Sequence, residues 1–189
     1  MKILKYYYLI LMSIVTSCAA QMKSNDSINR KVNTHFNKDY FASKKTFYGK
    51  LNEVDYKEIR KTIIAELKTI IPDQNSILIN YYQHGNNCYE YGLNEKYAKE
   101  EINNGIRISA RISKTFNVTD FFIYSSDYRD KLILENSRVY TLDSGFFSTN
   151  IFTLKENCAA FFIIKPNGEF MKYYGTDYYS EVIKFLEKK

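Results

Sequence analysis

The stretch Cys158-Ala-Ala-Phe-Phe-Ile-Ile-Lys-Pro-Asn-Gly-Glu-Phe-Met-Lys-Tyr-Tyr174 decides how this chain folds. Ala159 to Ile164 is an unbroken apolar run, which predicts a strand covered on both faces. Lys165-Pro-Asn-Gly168 follows, with proline second, asparagine third and glycine last. That order suits a type I turn closed by a bulge, so Glu169 to Tyr174 is expected to return as the second strand of a hairpin. A short helix near Tyr178 to Glu187, started by Thr176 or Asp177, is expected to close the chain. Cys158 stands at the mouth of the first strand.

Working outward toward the N-terminus, Asp143 to Asn157 carries no readable period. Arg138 to Leu142 reads as extended, Asp127 to Glu135 as a short helix, and Asp120 to Ser125 as a strand. Before it, Asn94 is positioned as the cap of a helix running to about Phe116. Tyr97, Ile102, Ile106, Ser109, Ile112 and Phe116 mark the inner face of that helix, and Gly105 is a point where it can bend. The glycine- and asparagine-rich loop from Gln83 to Gly92 contains Cys88, and Ile77 to Tyr82 before it is a strand apolar on both faces. Further back, Asp55-Tyr-Lys-Glu58 has the spacing of a capping box. It opens a helix with Ile59, Ile63, Leu67 and Ile70 in one stripe, stopped by Pro72 at or before Ile71. A strand–helix–strand unit places its strands parallel and the hairpin adds antiparallel ones. The expected class is therefore α/β, a mixed sheet with helices on both faces plus an N-terminal helix.

The leading segment has its own pattern. Met1 to Lys5 is a short basic region, and Tyr6 to Val15 is an apolar run too short to span a bilayer as a helix. It ends in Val15-Thr16-Ser17-Cys18, which resembles the lipobox of a bacterial lipoprotein signal. The resemblance implies cleavage before Cys18, lipidation of that thiol, and an exported protein held on a membrane of the cell envelope, where stable anchoring takes two or more acyl chains. An ordinary secretory signal cut near Ala20 is the competing reading. Residues 18–45, rich in serine, asparagine and lysine, read as a flexible tether. The expected plan is a signal at 1–17, a tether at 18–45 and a domain at 46–189.

Ser76 to Tyr82 leading to Cys88, and Phe161 to Glu169 with its Lys-Pro-Asn-Gly turn, resemble the thioredoxin-like fold of thiol-disulfide oxidoreductases and redoxin lipoproteins. The resemblance spans about Ile77 to Leu186. It implies a redox loop after the first central strand and, in the slot before the hairpin, a cis-proline. This chain departs at both places. Cys88 has Gly85 three positions before it and Tyr91 three after, so no Cys-x-x-Cys pair exists, and the proline slot falls near Ala159, where a trans peptide is expected. If the fold holds, Cys158 lies beside the loop that carries Cys88. For an exported protein a disulfide between them is then favoured, either structural or a slow redox pair. A free catalytic thiol at Cys88, activated by His84, and two inert thiols are the other readings. His84, Cys88 and Cys158 are ligand types that suit a soft metal, but without a paired-cysteine motif neither a metal nor any cofactor is expected.

Composition narrows the function classes. The chain has 189 residues, 45% of them hydrophobic and 16% aromatic, with only two prolines, which suits one folded domain and argues against extended disorder. Its formal charge is +6, two of whose positive charges, Lys2 and Lys5, lie in the leader. The remainder is spread without a Lys/Arg stripe, so no nucleic-acid partner is expected. No Ser/His/Asp set, phosphate-cradling glycine loop or metalloprotease helix is present. The tyrosines Tyr89, Tyr91, Tyr173, Tyr174, Tyr178 and Tyr179 read as core rather than as a binding surface, and Asp127 and Asp130 as surface residues. Two functions remain: a non-catalytic or weakly redox-active module that binds an unidentified envelope protein or peptide, or an oxidoreductase acting through Cys88 and Cys158.

Overall fold

A computed structural model describes residues 31–188; the leader, the lipobox and Cys18 lie outside the described residues. In chain order the elements are α1 (Lys38–Ser43), β1 (Lys45–Lys50), α2 (Glu53–Leu67), β2 (Ser76–Tyr82), a 3-10 turn (Tyr89–Gly92), α3 (Glu95–Phe116), β3 (Val118–Tyr124), α4 (Lys131–Asn136), β4 (Tyr140–Leu142), α5 (Phe146–Asn150), β5 (Ala159–Ile164), β6 (Glu169–Tyr174) and α6 (Tyr179–Glu187). They build a six-stranded sheet in the order β1-β6-β5-β2-β3-β4. β2 and β3 run parallel, joined by α3, while β5 lies antiparallel against the other side of β2 and pairs with β6 as a hairpin. This central order, with its crossover helix, hairpin and closing helix, is a thioredoxin-like fold.

Alternation along the central strands sorts the two cores. Leu78 and Tyr82 of β2 and Phe161 and Ile163 of β5 face α3, α4 and α6. Ile77, Ile79 and Tyr81, with Phe162 and Ile164, face α2 and α5. Every residue of β2 and β5 is buried, so the pairing register cannot slip by one residue without exchanging two complete apolar sets. One polar residue is committed to this interior. Asn80 donates to Phe121 O at 3.1 Å and Ser109 Oγ at 3.3 Å, and accepts from the Tyr178 hydroxyl at 2.8 Å. All of its polar atoms are thereby used, and the amide ties β2 to β3, α3 and the start of α6.

The hairpin forms as its sequence predicts. Gly168 N–H donates to Lys165 O at 3.0 Å and Lys165 N–H to Glu169 O at 2.8 Å, while Gly168 adopts φ +82°. That is a type I turn followed by a glycine bulge. A Cβ on Gly168 would also stand 2.7 Å from Leu51 O. The peptide before Ala159 is trans, as no cis peptide occurs among the described residues.

Three local expectations are corrected. Helix α2 starts two residues before the Asp55 box, because Asn52 is its cap: Asn52 Oδ1 accepts from Asp55 N–H at 2.9 Å and its amide donates to the Asp55 carboxylate at 2.8 Å. The helix also stops at Leu67, on Lys68 in the left-handed region, which leaves Ile70 outside it and 92% exposed. In α3 the buried stripe is Ala98, Ile102, Gly105, Ser109 and Ile112. Tyr97, one residue and therefore about 100° off that stripe, is exposed. Within the stretch expected as tether, Lys38–Ser43 forms α1. Val32 packs on the core, and Tyr40 is buried, accepting from Thr176 N–H at 3.0 Å.

Candidate functional site

Four backbone hydrogen bonds bring the two cysteines together. Gln83 N–H donates to Cys158 O at 2.9 Å, Asn86 N–H to Lys155 O at 3.1 Å, Asn87 N–H to Glu156 O at 2.9 Å, and Cys158 N–H returns to Asn87 O at 3.4 Å. Cys88 N–H is taken by Asn33 O at 2.9 Å. Asn33, Asn87 and Asn157 are thus laid side by side as parallel bridges. Gly85 allows the approach, since a Cβ there would stand 2.3 Å from Asn157 C and 2.5 Å from Cys158 N. The Gln83 amide donates to Leu154 O and Asn157 O, and the Asn157 amide to Ser43 O and Oγ. With the backbones so held, the Cys88 and Cys158 Cα atoms are 5.1 Å apart and their sulfurs form a disulfide. That separation is ordinary for a cystine.

Both half-cystines are completely buried, in the core shared by Tyr82, Tyr91, Tyr128 and Tyr178. The polar group beside them is a carboxyl. Glu90, on the 3-10 turn two residues past Cys88, places Oε2 at 2.7 Å from Cys158 Sγ and 3.4 Å from Cys88 Sγ. Burial, with the negative charges of Glu101 and Asp130 adding to it, pushes Glu90 up to about 8. The acid therefore holds its proton at neutral pH beside the disulfide. On the far side of the turn, Arg129 stacks 3.8 Å from the Tyr91 ring centre and donates to Tyr91 O at 2.7 Å, which fixes the turn's end.

Next to Glu90 opens a cavity of about 340 Å³ between the 3-10 turn, α3 and the start of α6. Tyr82, Tyr89, Tyr178, Tyr179 and Phe36 supply its aromatic walls, and Glu90, Glu101 and Asp177 its carboxyls. A larger cavity, about 550 Å³, lies on the opposite face of the sheet among Ile59, Phe162, Phe170 and Lys172, remote in the layer order from the disulfide.

His84, expected as a thiol activator, is exposed. Its backbone N–H donates to Asp127 Oδ1 at 3.0 Å, and the group that lies against the sulfurs is Glu90. Cys88, Glu90 and Cys158 have ligand atoms within 4.8 Å of one another. As a disulfide the sulfurs offer no thiolate, so the three become a donor set only on reduction. Of the tyrosines, Tyr91, Tyr173, Tyr174 and Tyr178 are core as expected, whereas Tyr89 and Tyr179 are half-buried on the cavity. Asp127 pairs with Lys155 and Asp130 with Arg129 at the surface. Glu90 was overlooked in the sequence, where its only signal is a carboxyl two residues from a cysteine.

No family model matches the chain, and no curated protein matches it. Among solved structures it is similar to the crystal structure of the thioredoxin domain of a thiol-disulfide oxidoreductase from Bacteroides vulgatus. Identity is 13% and the TM-score 0.38, over 61% of this chain and 81% of that one. At that level of likeness the fold stands on the strand order alone, and the neighbour's activity is a property of the neighbour.

Proposed function

We propose that this is a lipid-anchored protein of the bacterial cell envelope, whose thioredoxin-like domain is a binding module for an envelope protein or peptide and whose Cys88–Cys158 disulfide is a structural cross-link. The observation that carries this reading is the complete burial of both half-cystines. Thiol–disulfide exchange requires a thiolate to reach a sulfur, and these sulfurs sit beneath the tyrosine core. The test is a thiol titration of native and denatured protein, coupled to a disulfide-reductase assay. The expected result is a disulfide that resists millimolar dithiothreitol until the chain is unfolded, with no reductase turnover. Rapid reduction of the native protein with turnover would overturn it.

One observation favours a second reading, a thiol-disulfide oxidoreductase acting through Cys88 and Cys158. Glu90 is protonated at neutral pH and nearer to Cys158 than to Cys88. An external thiolate attacking Cys88 Sγ would form a mixed disulfide and break the Cys88–Cys158 bond. Cys158 would leave as a thiolate and take the Glu90 proton. In that case Cys88→Ser and Cys158→Ser abolish turnover, and Glu90→Gln slows it.

A further inference from the structure

The cavity beside Glu90 combines carboxyls with aromatic walls. Its lining contains Glu90, Glu101 and Asp177 and no lysine, arginine or histidine, in a protein whose formal charge is +6. Asp177 is paired with Lys44 at 2.7 Å. Glu90 and Glu101 have no ion pair among the described residues, and Glu90 Oε1 has no hydrogen-bond partner there either. Around the carboxyls stand aromatic faces. Phe36 stacks on Tyr89 at 4.1 Å between ring centres, and Tyr178 lies against Tyr179 at 4.4 Å. The walls are held firmly, since Tyr178 donates to Asn80 Oδ1 and Tyr179 to Gly105 O, each at 2.8 Å. At about 340 Å³ the space is at the small end of ligand cavities, roughly 300–1,000 Å³.

We propose that this cavity binds an alkylammonium ion, a free amine or the end of a lysine side chain, with Glu90 and Glu101 opposing its charge and the tyrosine and phenylalanine rings covering its methylenes. Carboxylates with aromatic faces are the two features that attract an organic cation, and the same carboxyls repel phosphate and carboxylate ligands. The proposal deepens the binding-module reading by naming the class of group recognised, and it rests on that reading only for its role in the envelope.

Proton release gives the binding a signature of its own. Glu90 is faced by Glu101 from α3, by Asp130 ahead of α4, and by the phenols of Tyr82, Tyr91, Tyr128, Tyr140 and Tyr178. All five phenols are pushed above their ordinary range by burial, so Glu90 is the cavity group that ionises near neutrality. A cation seated against it favours the carboxylate, and the proton goes to solvent.

The experiment is calorimetric titration of the full-length oxidised protein with 1,5-diaminopentane and with an Nα-blocked lysine amide. It is run at pH 7 and pH 9 in buffers of different ionisation enthalpy, with glutarate as the anionic control of equal length. With Glu90 titrating at about 8, one site is expected, about tenfold tighter at pH 9 than at pH 7, with close to one proton released at pH 7. Tighter binding of the diamine identifies a free amine as the guest, and tighter binding of the lysine amide a side chain. Glu90→Gln should abolish the pH dependence and weaken binding about tenfold at pH 9. Glu101→Gln, at an exposed position, should weaken it also and keeps the test decisive if Glu90→Gln fails to fold. No saturable amine binding at pH 9, equal binding of glutarate, or amine affinity unchanged in Glu101→Gln overturns the proposal. Reductase turnover in a protein that binds the amine would overturn the inert cross-link and leave the cavity's role standing.

Discussion

Glu90 is where a single side chain changes what the domain does with pH. Its ordinary value is 4.5 and burial raises it to about 8, so between those limits the folded chain binds a proton that the unfolded chain has released. Stability from this group is complete below about pH 4.5 and is lost as pH rises through about 8. Urea midpoints of the oxidised protein should therefore fall from pH 5 to pH 9, and the fall should be shallower in Glu90→Gln, which cannot ionise. Equal slopes in the two proteins would show that Glu90 titrates as an ordinary surface carboxyl. The residue was invisible as a site in the sequence because a glutamate in a polar loop is usually solvated. Only the closure of the 83–88 loop onto residues 155–158 sets its half-buried carboxyl against the disulfide.

At the scale of elements, local signals succeeded where one segment completes its own structure. The Lys165–Gly168 turn, the Asn94 cap, whose side chain accepts from Tyr97 N–H, and the length of α3 all depend on near neighbours in sequence. The start of α2 shows how such signals compete. Both Asn52 and Asp55 are capping residue types, and the chain uses Asn52, with Asp55 reciprocating from the first turn. Asn52→Ala should then destabilise the domain by about 1 kcal/mol, and Asp55→Ala by less. Chemical denaturation of the two variants checks this, and the reverse order would restore the Asp55 box. The end of the same helix misled because the apolar period continues through Ile70 while the backbone leaves the helix at Lys68. Periodicity records which residues are apolar, and cannot tell that a helix has already stopped.

On the scale of the whole molecule, the envelope address and the fold are separate properties. The proposed attachment is through Cys18, outside the described residues, and no helix among the described residues is long and apolar enough to cross a membrane. Intact mass of protein extracted from membranes with detergent should show cleavage before Cys18 and a mass increase of two or more acyl chains. Cys18→Ala should move the protein to the soluble fraction. An unmodified N-terminus beginning past Cys18 would exclude the anchor. Within the domain, the sequence by itself determined the central strands, the hairpin, the crossover helix and hence a mixed sheet, because burial on both faces and turn chemistry are written in short runs of residues; the edge strand β1, paired with β6, was not legible. The sequence also named both cysteines. Only the tertiary structure decided that Cys88 and Cys158 are joined, that Glu90 rather than His84 stands against them, and that Tyr89 and Tyr179 face a cavity. Those facts arise from segments 70 residues apart meeting through backbone hydrogen bonds, and no local pattern encodes which distant carbonyl a backbone N–H will find.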